Sequence, residues 1–144
     1  MSSKERTADL VKYRLQNSKE KLGSAKLLLE NDKFKDSISR SYYAMYTAAR
    51  ALLATKHLDS SKHSGVISLF NQHFVKTGVV ARDLGRILMK GKDLRQDGDY
   101  KDFVETSMKE AQDQYSDAEK FIDQIEDTLT ELGYQTSPHS PNSQ

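Results

Sequence analysis

The sequence contains no cysteine, only two prolines and no long apolar run, and it carries almost no excess charge of either sign. Without cysteine, neither a disulfide framework nor a thiolate-bound metal can form, which fits a reducing compartment. No apolar stretch approaches the roughly 20 residues that cross a bilayer, and the polar N-terminal segment lacks the apolar region of a secretory signal. These absences predict a cytoplasmic protein with no membrane partner.

What the chain does contain is charge of both signs. Its 144 residues fit a single domain, and 22 basic against 21 acidic residues give a net charge of +1. A nucleic-acid role would therefore need a local basic patch rather than a polycationic chain. No segment alternates with period two, so strands are not expected.

Apolar residues recur at spacings of three and four along most of the chain, which is typical of amphipathic helices. Four helices are predicted over about Thr7–Glu30, Lys33–His57, Lys62–Thr77 and Val80–Arg95. A fifth opens at a capping box that starts at Ser107 and ends before Gly133. We expect an all-α fold, an antiparallel four- to five-helix up-down bundle over residues 1–133, with a disordered tail over residues 134–144.

The connection before the last helix, "LRQDGDYKDF", is predicted to be a turn or loop because Asp97-Gly98 is a strong turn pair. The preceding helix carries a row of basic side chains on one side, and such a row is usually a solvated face.

The second predicted helix has two distinct sides. At 100° per residue its core side carries Phe34, Ile38, Tyr42, Met45, Ala49 and Leu52. The other side carries Asp36, Arg40, Tyr43, Thr47 and Arg50, with Tyr46 at the edge. An aromatic residue between two arginines indicates a surface that is free for a second subunit, a nucleotide or RNA. Alternatively, Tyr43 lies flat on the surface under arginine stems.

Several standard sites are missing from the sequence. It has no phosphate-binding GxxxxGK[ST] loop, no GxGxxG after a strand, no HExxH and no GxSxG. The four histidines have no partner at the helical spacing of metal ligands, so neither a metal nor a cofactor is expected. Arginine with histidine suits metal-free RNA cleavage, because imidazole can move protons near neutral pH and guanidinium can stabilise a charged phosphorane.

Three blocks, "SRSYYAMYTAARALL", "SKHSGVISLFNQHF" and "KDLRQDGDY", occur in an order that resembles HEPN-domain proteins of the small stand-alone branch. The resemblance covers roughly Asp32 to Ile125. It implies an antiparallel helical bundle, a homodimer, and pairing with a minimal nucleotidyltransferase antitoxin in toxin–antitoxin operons. It also implies, for many members, metal-independent ribonuclease activity in a cleft at the dimer interface, and for others non-catalytic nucleotide or RNA binding.

The catalytic family pattern is an arginine followed a few residues later by a histidine, often with a tyrosine two residues on. At the matching place this chain has Arg95 and Tyr100, but Asp99 stands near the position of the histidine. An aspartate cannot supply an imidazolium. His63, at the start of the third helix, can supply an imidazole instead, and the helix dipole there should lower its pKa. Arg50 and His57 match the spacing formally, but not at the family's place.

The resemblance thus assigns Arg95, Asp99 and His63 to catalysis, and Arg40, Tyr43, Arg50 and Tyr100 to RNA or nucleotide binding. Tyr100 is also the expected acceptor if the partner enzyme adenylylates a tyrosine. Simpler roles remain open: a salt bridge between Arg95 and Asp99 that steadies the turn, and a capping or hydrogen-bonding role for His63. We therefore predict a toxin-like ribonuclease or RNA binder, with two alternatives: a non-catalytic nucleotide- or partner-binding module, and a structural bundle that only dimerises.

Overall fold

The computed structural model describes residues 1–100 and 105–137, except for the side chain of Tyr100. Five α-helices and one π-helical segment make up this part of the chain, and it contains no strand. The helices are α1 (Ser3–Glu30), α2 (Phe34–Ala54), α3 (His63–Phe70), α4 (Arg82–Tyr100) and α5 (Met108–Glu131), and the π-helical segment is Asn71–Val75. The predicted all-α bundle is confirmed.

Helix α2 is the central helix of the bundle. It packs against α1, α5, α4 and α3, and thirteen of its 21 residues are buried. The predicted core side is confirmed, because Ile38, Tyr42, Met45 and Leu52 are each no more than 3% exposed. Five alanines on this helix are also buried (Ala44, Ala48, Ala49, Ala51 and Ala54). Their small side chains let several neighbouring helices approach at once.

Helix α1 begins four residues earlier than the predicted Thr7. Ser2 caps it: its Oγ accepts a hydrogen bond from the backbone N–H of Glu5 at 3.1 Å, and the Glu5 side chain accepts one from the Ser2 backbone at 3.5 Å. This reciprocal arrangement is a capping box, which satisfies two backbone donors that a helix otherwise leaves unpaired.

The third helix is shorter than predicted because its last part widens into the π-helical segment Asn71–Val75. The chain then turns at Gly78, whose φ of +78° lies in the left-handed region. The predicted helix end at about Thr77 is consistent with that conformation, which costs glycine little.

The predicted turn at Asp97-Gly98 is wrong, since α4 continues through both residues to Tyr100. Gly98 is buried against α2, and a Cβ atom there would lie 3.3 Å from Cγ of Lys35. Gly91, one heptad earlier, is also buried, and its Cβ would lie 2.8 Å from Cε of Met45. Both glycines therefore serve close helix approach, a long-range requirement that overrides the local turn preference.

We expect Gly98→Ala to stabilise the protein by up to about 1 kcal/mol, because alanine is the better helix former. The Lys35 stem that faces the new methyl group is exposed and can move aside. Urea unfolding measures the change. The matched control is Gly133→Ala, which should destabilise because Gly133 has a φ of +95°. Destabilisation by both substitutions would contradict a helical Gly98.

Helix α5 begins and ends as predicted. Its N-cap Ser107 accepts a hydrogen bond from the Glu110 backbone at 3.1 Å, and Gly133 follows its end. Tyr134, the first residue of the segment predicted to be a disordered tail, packs against the core. Residues 138–144 of that segment lie outside the described part of the chain.

Candidate functional site

His63, the first residue of α3, lies against three tyrosines of α2. Its Nδ1 atom is 3.0 Å from the hydroxyl of the buried Tyr42. Its ring stacks on Tyr46 with 4.2 Å between centroids and meets Tyr43 edge-on at 5.6 Å. The hydrogen-bonding role considered for His63 is therefore confirmed. Nδ1 is engaged by Tyr42, and Nε2 has no hydrogen-bond partner among the described residues.

Arg95 of α4 reaches the same place from a third element. Its Cζ atom lies 5.1 Å from the centroid of the Tyr43 ring, within the range of a cation–π interaction. The geometry thus brings together Arg95, Tyr43 and His63, three of the residues predicted to form a site. We call these three residues with Tyr42 and Tyr46 the tyrosine–histidine cluster.

Asp99 also contacts Arg95, through an ion pair of 2.9 Å between Oδ2 and Nε. The predicted salt bridge is confirmed, but it joins two turns of a helix instead of steadying a loop. The Asp99 carboxylate is therefore the charge partner of the buried Nε, although the geometry of the contact is not that of a hydrogen bond.

The pKa of His63 is lowered below its ordinary value by burial, and then by the positive charges of Arg95 and Lys92. The direction predicted from the helix dipole is confirmed, but burial and these two cations cause it. The neutral imidazole consequently predominates at pH 7. Burial, with the neighbouring Tyr46 and Tyr43, raises the pKa of Tyr42 well above its usual range, so its phenol keeps its proton.

A pH titration of the histidine ring protons by NMR should show His63 losing its proton below the usual midpoint of about 6.5. Between the midpoint of His63 in the folded protein and the usual midpoint in the unfolded chain, the unfolded chain binds more protons. The protein therefore has the full contribution of His63 to its stability above about pH 6.5 and loses it as the pH falls through the folded midpoint.

Arg95→Gln should raise the folded midpoint of His63, because it removes one cause of the shift. Arg82→Gln, an exposed cation on the same helix, is the control; equal effects of both would contradict the direct role of Arg95.

Arg50 is held by the connection between α2 and α3. Its Nε and Nη2 atoms donate to the two carboxylate oxygens of Asp59 at 3.2 and 2.9 Å. Arg14 of α1 donates to the same carboxylate at 3.3 Å and to the Arg50 carbonyl at 3.0 Å. The hydrogen bond from Arg50 lowers the pKa of Asp59. This triad lies beside Tyr46, whose pKa is raised by burial, with Arg50 and Arg14 acting in the opposite direction.

The side of α2 that was predicted to be free is only partly so. Thr47 is 8% exposed and donates its hydroxyl hydrogen to the Tyr43 carbonyl at 2.8 Å. Tyr43 is half-buried, whereas Arg40 is exposed. Buried Thr47 and ion-paired Arg50 correct the prediction that this whole side is open, because α1 and the α2–α3 connection cover its C-terminal half.

Of the predicted site residues, Arg40, Arg50, Asp99 and Tyr100 are not members of the cluster. His57, which with Arg50 matches the family spacing only formally, lies beyond the end of α2, exposed, with a left-handed φ of +58°. The side chain of Tyr100 lies outside the described part of the structure. Conversely, the contributions of Tyr42, Tyr46, Lys92 and Arg14 were not predicted. For Tyr42 and Tyr46 the sequence signal is a tyrosine repeated after one helical turn, a pattern that is equally typical of core residues.

Within residues 1–100 and 105–137, no group of three or more histidine or acidic side chains is positioned to hold a metal ion. None of the helices in this described part is long and apolar enough to cross a membrane.

A helical bundle with an arginine, a histidine and stacked tyrosines at the junction of α2, α3 and α4 fits the family indicated by sequence comparison. The HEPN domain family model matches residues 11–128. The chain belongs to the HEPN domain family.

Two curated relatives cover most of the chain. A UPF0332 protein of Thermotoga maritima is 39% identical over 132 residues, which are 92% of this chain and 98% of that protein. A protein of Methanocaldococcus jannaschii named "Putative toxin MJ0605" is 40% identical over 115 residues, 80% of this chain and 85% of that protein. A UPF0332 protein of Pyrococcus horikoshii is 50% identical over 78 residues, about half of each chain.

Proposed function

We propose that this HEPN protein is toxin-like, and that it binds RNA at the tyrosine–histidine cluster and cleaves it without a metal ion. The observation that carries the proposal is the meeting of Arg95, His63 and Tyr43, which come from three separate elements. The toxin names of two Methanocaldococcus jannaschii relatives, 40% and 36% identical in the matched regions, add support.

The chemistry would use neutral His63 as a general base. With the proton on Nδ1, the ring donates to the Tyr42 oxygen, and Nε2 is free to take the proton of a ribose 2′-hydroxyl. The 2′-oxygen then attacks phosphorus, and the 5′-oxygen leaves with a proton taken from water. Arg95 stabilises the additional negative charge of the phosphorane through its guanidinium. The products are a 2′,3′-cyclic phosphate and a 5′-hydroxyl.

A homodimer would strengthen this arrangement. Two copies facing one groove would double the number of arginines around the RNA, although each chain has a net charge of only +1. Exposed Arg40 would contact a flanking phosphate. The second copy would also bring a second His63, which can protonate the leaving oxygen once it has become an imidazolium.

Control by a minimal nucleotidyltransferase partner is part of the proposal, and it rests on the family resemblance. Tyr100 is the last residue of α4 and follows Arg95 by five positions in the sequence. A nucleotide attached to Tyr100 would add bulk and negative charge, which repel phosphate.

A non-catalytic module is the second candidate, and one observation favours it. Asp99 stands where a catalytic histidine is expected, and it already pairs with Arg95. In that case the cluster would bind a nucleotide, an RNA or a partner without turnover.

The two functions are separated by incubating the purified protein with single-stranded RNA in EDTA. We expect cleavage products that end in a 2′,3′-cyclic phosphate, identified by mass spectrometry. The matched substrate carries a 2′-deoxyribose at every cleaved position and should stay intact, because it lacks the attacking hydroxyl. Binding of both substrates without cleavage of either would establish the non-catalytic module.

A further inference from the structure

A second feature of the molecule lies next to the cluster: a cavity of about 400 Å³ between the end of α1 and the beginning of α2. Its lining residues are Leu28, Asp36, Ser39, Arg40 and Tyr43. Leu28 supplies an apolar wall and Tyr43 an aromatic one. Such a volume admits a nucleobase, and pockets that combine apolar walls with a few polar groups are the usual small-ligand sites.

The polar groups of this cavity come from one face of α2. Asp36, Ser39, Arg40 and Tyr43 follow the i, i+3, i+4, i+7 spacing that aligns side chains along a helix. Asp36 and Arg40 form no ion pair with each other or with any other described residue. A carboxylate acceptor and a guanidinium donor thus stand side by side with their hydrogen-bonding capacity unused by the described protein groups.

Tyr43 joins the cavity to the proposed cleavage site. The same ring that lines the cavity has the Arg95 guanidinium carbon 5.1 Å from its centroid and His63 at 5.6 Å. A nucleotide whose base occupies the cavity would therefore present its phosphate to Arg95 or Arg40. The cavity and the cluster therefore share Tyr43.

We propose that this cavity binds a guanine base, with Asp36 as the group that selects it and Tyr43 as the stacking surface. This assignment rests on the proposed RNA function, since it names the base that the neighbouring site would receive. Ionised Asp36 is an acceptor only. Guanine presents two adjacent N–H donors, N1–H and the 2-amino group, which match the two oxygens of one carboxylate.

The other bases fit this carboxylate less well. Adenine and cytosine each place a lone pair next to their amino group, and that lone pair would face an aspartate oxygen. Uracil offers one N–H between two carbonyl oxygens, so only one oxygen of the carboxylate would find a donor. A base without matching donors would leave the carboxylate unpaired or repelled, which is how polar pockets reject near-isosteres. Discrimination should therefore depend on the charge and acceptor character of Asp36.

The test uses labelled oligouridylates that carry one central guanosine, inosine, adenosine or cytidine, with binding followed by fluorescence anisotropy. Guanosine monophosphate is tested separately by isothermal titration calorimetry, because a free nucleotide has the same base. The variants are Asp36→Asn and, as a matched control that removes the same charge from an exposed site on α5, Asp123→Asn. Thermal melting checks that both variants fold.

For the wild-type protein we expect the guanosine oligomer to bind roughly 5- to 100-fold more tightly than the adenosine or cytidine oligomer. The inosine oligomer, which lacks the 2-amino group, should lie between them. Asp36→Asn should lose most of this preference, whereas Asp123→Asn should keep it.

The outcomes distinguish the two proposals. Base-independent RNA binding would overturn the guanine pocket and leave the proposed RNA function standing. Binding of guanosine monophosphate that depends on Asp36, with no binding of any oligomer, would support the pocket as a free-nucleotide site and overturn the RNA function. A guanine preference unchanged in Asp36→Asn would overturn the assignment of Asp36.

Discussion

Arg95→Ala is expected to reduce RNA cleavage by roughly 10²- to 10³-fold, the usual cost of removing one group that stabilises a developing charge. Arg95 is the guanidinium beside both Tyr43 and His63. Single-turnover cleavage of a labelled RNA measures the loss. Arg95→Lys should recover only part of the rate, because an ammonium group cannot bind a phosphoryl group bidentately.

The matched control for this prediction is Arg86→Ala, which removes an exposed arginine from the same helix. It should change the rate only through general charge effects, and these should fade as salt is raised. Circular dichroism verifies that Arg95→Ala keeps its helices. A folded Arg95→Ala protein that cleaves at the wild-type rate would remove Arg95 from the mechanism.

Phe121→Ala is expected to lower the free energy of unfolding by about 3–5 kcal/mol. Phe121 is fully buried on α5, and its ring centroid lies 5.6 Å from that of Phe70 on α3. Removing it would leave a cavity where α5 meets α3, lined by side chains that cannot fully collapse into it. Since domains of this size have stabilities of only about 5–15 kcal/mol, the loss would be a large part of the total.

Urea denaturation measures this effect, and two further variants calibrate it. Phe121→Leu retains most of the apolar volume and should cost much less. Met108→Ala changes an apolar residue of the same helix that is 50% exposed, and it should shift stability by no more than about 0.5 kcal/mol. If Phe121→Ala and Met108→Ala had similar small effects, the α3–α5 packing described above would be incorrect.

Periodicity was sufficient to predict the helices and most of the core. The alternation of three and four separates buried from exposed positions wherever a helix packs against its neighbours, so Tyr42, Met45 and Leu52 are predicted inside and are fully buried. Helix ends were less accurate. The first helix starts four residues before the predicted Thr7 because the Ser2–Glu5 capping box extends it, although the residues between them are polar.

Asp97-Gly98 shows why local preference can fail. As a dipeptide it favours a turn, but in the fold α4 continues through it, and Gly98 packs against the Lys35 side chain of α2. Lys35 lies more than sixty positions away in the sequence. No window-based pattern contains that information.

The candidate site was predictable only in part, because some of its contacts are also made by residues that are distant in the sequence. The side of α2 that carries Tyr43 follows from helix geometry, and the family resemblance drew attention to Arg95 and His63. The pairing of Asp59 with Arg50 and Arg14 depends on how the α2–α3 connection folds back over α1. Such contacts are set by tertiary structure, so the sequence alone gave no reason to expect Arg50 to be engaged.

The two sides of α2 should also respond differently to mutation. Where its buried alanines face four neighbouring helices, almost any enlargement would disturb the whole bundle. Along Asp36, Ser39 and Arg40, by contrast, the chain can exchange one polar group for another at little cost in folding. A lineage of such proteins could therefore change its ligand through this single stripe while the scaffold stays the same.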